Sequence, residues 1–146
     1  MRTGYLYVET SDSHPGLARV VATDLPPRLS PAAEHLDPRV RYLARFDDLD
    51  AGRMHAHTAL RRRLVDIEAD LYRVQAIDAI AAVEASGLRH ERLYLDPLLA
   101  NEPQLHASIA RRLARQQRSD RVWAAVGVVG AVLLILLVLL NLYAGL

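Results

Sequence analysis

The chain of 146 residues contains no cysteine. Disulfides, thiol nucleophiles and thiolate metal sites are therefore excluded, and the composition fits a reducing compartment. Lysine is absent as well: all 18 basic residues are arginine. The opening segment, MRTGYLYVETSDS, has no apolar core of signal-peptide length, so nothing there is expected to direct secretion. Internal repeats and low-complexity tracts are also missing. What remains is enough chain for one compact domain and an appendage.

Charge and hydropathy divide the chain unevenly. Residues 1–88 carry 11 Arg against 13 Asp and Glu, and residues 89–121 carry 7 Arg against 4 acids. The second group includes Arg111, Arg112, Arg115, Arg118 and Arg121, just ahead of VWAAVGVVGAVLLILLVLLNLYAGL. A helix over residues 122–146, at about 1.5 Å per residue, would reach across a bilayer core of roughly 30 Å. Trp123 and Tyr143 lie near its ends, where amphipathic rings prefer the interfaces. The expectation is a C-terminal transmembrane tail anchor. With arginines only on its N-terminal side, the preceding domain would face the cytoplasm at a bacterial inner membrane. The same arginines would favour anionic headgroups. Gly127 and Ala131 form a small-xxx-small pair through which the span could dimerise.

Ahead of that tail the pattern predicts an α+β domain. GYLYVET (Gly4 to Thr10) and LARVVAT (Leu17 to Thr23) are rich in β-formers and flank the turn cluster SDSHPG, which predicts an antiparallel hairpin. Pro26 and Pro27 suit the first turn of a short helix reaching about Leu36. RVRYLARF (Arg39 to Phe46) alternates as a half-exposed strand. DDLDAGRMHAHTALRRRLV reads as a helix with acids at its start and Arg61, Arg62 and Arg63 at its end, complementing the helix dipole. DLYRV (Asp70 to Val74) reads as a short strand or a bend, and QAIDAIAAVEASG as a helix stopped by Gly87. LRHERLYLDPLLANEP carries no legible motif. Asn101 would cap a further helix with Pro103 in its first turn.

Taken in order, GYLYV, GLARVVAT, a following Arg, AHTAL, and DLYRV before an alanine-rich helix resemble the GIY-YIG endonuclease superfamily. The nearest likeness is its branch of phage and bacterial DNA-binding proteins. The resemblance covers about residues 3–86 and rests on order and spacing. It implies a small three-stranded antiparallel sheet flanked by helices, and metal-assisted phosphodiester hydrolysis. In that chemistry, positive charge meets the phosphate oxygens and a carboxylate holds a hard cation. Carried over, the first-strand tyrosine is Tyr7 and the second-strand basic residue is Arg19. The helix arginine is Arg28, the following histidine is His57, and the metal carboxylate is Asp70, with Mg2+ or Mn2+ as cofactor if the site is active. The pattern departs from the family in three places. Val21 stands where glycine is usual, Ala22 where lysine is usual, and Asp70, one methylene shorter, where glutamate is usual. These departures imply a degenerate site.

Each residue also has a plainer reading. Tyr5 and Tyr7 lie two apart on one strand face and could simply pack. His57 shares a stripe with Leu60 and Leu64, as a core histidine would. His55 and His57 diverge by about 200° on a helix and so do not form a metal pair. Asp70 could serve a turn, Arg28 a solvated surface, and Arg61 to Arg63 either a solvated helix end or a phosphate-contacting patch.

The expected organisation is a GIY-YIG-like domain at 1–87, a linker at 88–101, a basic spacer helix at 102–121 and the span at 122–146. The expected function is a membrane-tethered binding or scaffolding module, with DNA as a candidate partner. An active membrane-bound nuclease and a protein-interaction adaptor are the alternatives.

Overall fold

The computed structural model describes residues 2–29 and 39–144. Strand β1 (Gly4–Thr10) pairs antiparallel with β2 (Ala18–Thr23) through the SDSHPG turn, and β3 (Arg39–Phe46) pairs antiparallel with the other edge of β1. These three strands lie where the alternation of the sequence predicts them.

The sheet does not stop at three. Strands β4 (Leu64–Asp66) and β5 (Leu71–Tyr72) extend it beyond β2, and β6 (His90–Leu95) extends it beyond β3. The result is a six-stranded antiparallel sheet in the order β4-β5-β2-β1-β3-β6, which corrects the expected three-stranded sheet. The physical reason lies in backbone demand. Both outer edges of a β2-β1-β3 sheet expose rows of unpaired N–H and C=O groups, and short segments without a distinctive pattern satisfy them. Residues 88–101, expected as a linker, hold β6 and the short helix α3 (Pro97–Ala100).

Helices α1 (Leu49–Leu60) and α2 (Ala76–Glu84) cover one face of the sheet. Asp48 caps α1 by accepting from the Ala51 N–H at 3.1 Å, so the acidic start anticipated from DDLD does work as an N-cap. Leu6, Val8, Val20, Tyr42 and Phe46 meet Leu49, Leu60, Ile80 and Val83 in one core, joined by Leu105 from the helix that follows. Alternation then sends Tyr5, Tyr7, Glu9 and Arg19 to the opposite, helix-free face. The expected helix from Pro26 to Leu36 is not formed over Pro26 to Leu29, and its remainder lies outside the described residues.

The compact unit runs Met1–Arg112, and Leu113–Leu146 forms a second unit. Helix α4 (Pro103–Ala144) runs through both stretches of sequence. Among the described residues no helix is long and apolar enough to cross a membrane. A span requires roughly 20 consecutive, predominantly apolar helical residues, and no described helix supplies them. This finding overturns the expected transmembrane tail anchor at 122–146. The membrane as partner, pairing of two chains through a span, and placement at a bacterial inner membrane fall with it.

Candidate functional site

The side chains singled out in the sequence fall into two groups on opposite sides of the sheet. On the open face, Tyr7 lies in a cross-strand row with Val21 on β2, Leu43 on β3 and Tyr94 on β6. Leu43 is 3% exposed although it lies outside the core cluster beneath the helices. Burial, and then the Glu9 carboxylate, hold the Tyr7 phenol above its ordinary pKa. A phenol held protonated donates a hydrogen bond more readily than it accepts a proton from water. One register step along, Glu9 pairs with Arg19: Arg19 Nη1 donates to Glu9 Oε1 at 2.5 Å, and Arg19 Nε donates to the Ala69 carbonyl at 3.0 Å. Glu9 is almost wholly buried and Arg19 is half-exposed.

Asp70 turns the other way. Its carboxylate accepts from Arg53 Nη2 of α1 at 2.9 Å, on the helix side, while its backbone carbonyl accepts from the Val20 N–H at 3.1 Å. The residue sits at φ +48°, a left-handed conformation that Asp tolerates better than most residues. Two residues on, Tyr72 shares that side, and its hydroxyl lies 3.1 Å from Nδ1 of His57. His57 is thus held by a phenol next to the Asp70–Arg53 pair. The structure brings Tyr7 and Arg19 together on one face, and His57 and Asp70 together on the other. Among the described residues no group of three or more His, Asp or Glu side chains could hold a metal ion. Arg28 is exposed in an irregular stretch after β2, with no carboxylate partner among the described residues.

Arg61–Arg63 form a 3-10 turn after α1, and all three guanidinium groups are exposed. The Arg73 N–H donates to the Arg63 carbonyl at 2.7 Å, which sets Arg73 beside the triplet. Arg62, Arg63 and Arg73 line one cleft of about 570 Å³. Arg61, Arg62, Arg63 and Arg112 line another of about 460 Å³, together with Asp78. Among the described residues, none of Arg61, Arg62, Arg63 and Arg73 has a carboxylate within ion-pair distance. By contrast Arg2, Arg19, Arg41, Arg53, Arg89 and Arg92 all do. Arg73 escapes a sequence-level reading because nothing in DLYRV announces that β5 pairs beside the triplet. Its alternation with Leu71 was the available signal.

A third cluster lies in the segment without a legible motif. Glu84 of α2 accepts from Arg92 Nε at 2.5 Å and lies 3.4 Å from His90 Nε2, while the His90 ring stacks on Phe46 at 4.9 Å. Burial pushes the Glu84 carboxyl up, but hydrogen bonds from His90 and Arg92 outweigh it and bring the pKa down to about 2. The hydrogen bond to Glu84 raises the His90 pKa. Tyr42 Oη is buried beside this carboxylate without a partner in hydrogen-bonding geometry. Burial, then the neighbouring negative charge, push its pKa up. This cluster ties β6 to α2.

Set against family models, curated proteins and solved structures, the chain finds no match.

Proposed function

We propose that the compact unit is a nucleic-acid-binding module, a degenerate relative of the GIY-YIG endonucleases that holds phosphates without cutting them efficiently. One observation carries the reading: four exposed guanidinium groups, Arg61, Arg62, Arg63 and Arg73, cluster at one edge of the sheet, and among the described residues none is in an ion pair, with Asp78 the one acid lining their clefts. Residues 1–88 are net acidic, so a phosphate chain is attracted only where the arginines are concentrated and unpaired. Efficient hydrolysis is disfavoured because the groups it would use are already occupied. Arg19 is bound to Glu9 and Asp70 to Arg53, on opposite sides of the sheet. Any residual cleavage would call for Mg2+ or Mn2+, with Asp70 as the candidate ligand.

The test is fluorescence anisotropy of the full chain with labelled duplex and single-stranded DNA across a salt series. Four phosphate contacts predict a log–log salt slope of roughly −3 to −4. Replacing Arg62, Arg63 and Arg73 together with Glu should abolish binding. Absence of salt-sensitive binding by the native chain would overturn the proposal and leave a protein-contact adaptor. Plasmid nicking that needs Mg2+ and is lost in Asp70→Ala would replace it with the nuclease reading.

A further inference from the structure

On the open face, a pocket of about 220 Å³ lies between the β1–β2 turn and β5. Leu17 and Leu71 supply apolar walls, His14 stands at its rim, and the Glu9–Arg19 pair forms its polar side. Glu9 Oε1 is taken by Arg19 Nη1, but Oε2 has no hydrogen-bond partner among the described residues. Arg19 spends Nε on the Ala69 carbonyl and Nη1 on Glu9, which leaves Nη2 as a free donor. The polar side thus presents one acceptor next to one donor, and the two opposite charges offset each other. Leu71 lines this pocket, and Arg73, two residues on at the bend where the Val74 N–H donates to the Tyr72 carbonyl, lines the arginine cleft.

We infer that this pocket accepts one unstacked nucleobase of a single strand whose phosphates run along Arg62, Arg63 and Arg73. The inference rests on the nucleic-acid reading above and adds how that site would tell a base-bearing strand from a bare polyanion. A base edge pairs a donor with a neighbouring acceptor, which complements Glu9 Oε2 and Arg19 Nη2, while its ring faces meet the leucines and the imidazole. The cavity is smaller than the roughly 300–1,000 Å³ of sites for drug-sized ligands, which suits one planar ring. A cationic peptide side chain fits less well, because Arg19 already neutralises Glu9 and the adjoining arginines repel it.

The experiment measures binding of the full chain to a labelled ten-nucleotide single strand and to an abasic strand of equal length. The native chain should bind the base-bearing strand at least tenfold more tightly. Leu17→Trp, which fills the pocket from its apolar wall and leaves both members of the ion pair in the chain, should bring the two affinities together while keeping the salt slope. Glu9→Gln should also narrow the ratio. Equal affinities in the native chain, with salt-sensitive binding intact, would overturn the pocket and spare the arginine edge. Loss of all salt-sensitive binding would overturn both. A tenfold ratio that survives Leu17→Trp would place base recognition elsewhere and overturn the inference. So would displacement of the strand by an arginine-containing peptide from the native chain but not from Leu17→Trp.

Discussion

Arg53 Nη2 donates to Asp70 Oδ2 at 2.9 Å, joining α1 to the turn before β5 on the helix side of the sheet. The carboxylate that a GIY-YIG-like site would offer to a cation instead closes a loop whose backbone is held at φ +48°. Conformation should therefore matter more than charge at this position. Arg53 is more than half exposed, so the ion pair contributes at most about 1 kcal/mol. A left-handed backbone costs an ordinary side chain about 1–2 kcal/mol. Asp70→Ala should accordingly destabilise more than Asp70→Gly. Urea denaturation of the two variants checks this; both lose the ion pair equally, so the reverse order would show that the left-handed backbone does not penalise alanine here.

Among the described residues Arg41 and Asp96 form the most buried ion pair, at 2.5 Å; Arg41 also donates to Thr10 Oγ1 and, at 3.5 Å, to Asp12 Oδ1, and Asp96 caps α3 through the Leu98 N–H. Asp96→Ala would leave the largely buried Arg41 guanidinium with only Thr10 and the exposed Asp12, and would remove the cap, at a cost of about 3 kcal/mol. Asp96→Asn retains an acceptor for the cap and should cost less. Chemical denaturation midpoints with unchanged slopes would report the difference. A loss below about 1 kcal/mol for Asp96→Ala would show that water reaches the pair.

The Glu84–His90 contact predicts a stability optimum on the acid side of neutrality. Glu84 has a depressed folded pKa, so its contribution is present above 4.5 and is lost as pH falls towards about 2. The displacement corresponds to about 3 kcal/mol. His90 is raised, so its contribution is full below 6.5 and is lost as pH rises through its folded value. Thermal unfolding followed against pH should show both limbs. Glu84→Gln should flatten both; His90→Gln should abolish the alkaline limb and shrink the acid one, since Glu84 then keeps Arg92 but loses the His90 hydrogen bond. A flat alkaline limb in the native chain would mean that His90 gains nothing from Glu84.

Gly52 lies inside α1, where alanine would normally gain about 1 kcal/mol. A Cβ there would stand 2.9 Å from Cδ1 of Phe46, and 3.2 Å from two more atoms of that fully buried ring. Gly52→Ala should therefore destabilise by about 1–3 kcal/mol, since the ring has no room to retreat. A gain in melting temperature would show that α1 can lift from the sheet.

The elements that announced themselves are those whose pattern is local. GYLYVET and RVRYLARF carry β-formers and alternation, and they form β1 and β3 over the expected residues. DDLD and the arginine triplet bracket α1 because capping and dipole effects act within a turn or two. HERLYL, only six residues long and bounded by no turn signal that stood out, became an edge strand because β3 offered an open ladder and Glu84 a partner for His90 and Arg92. The apolar run after Arg121 suggested more than the described residues support.

The sequence by itself determined the hairpin, the third strand, the two covering helices and a supply of arginine with no lysine, since propensity, periodicity and capping are short-range. Only the tertiary structure decided that Asp70 faces Arg53 while Arg19 faces Glu9, and that Arg73 comes to lie beside Arg63 of the triplet, with no ion pair to any of the four among the described residues. Strand pairing fixes which side of a sheet each residue occupies and which distant residue stands next to it. One step of register exchanges the two faces, so no local pattern can supply that information.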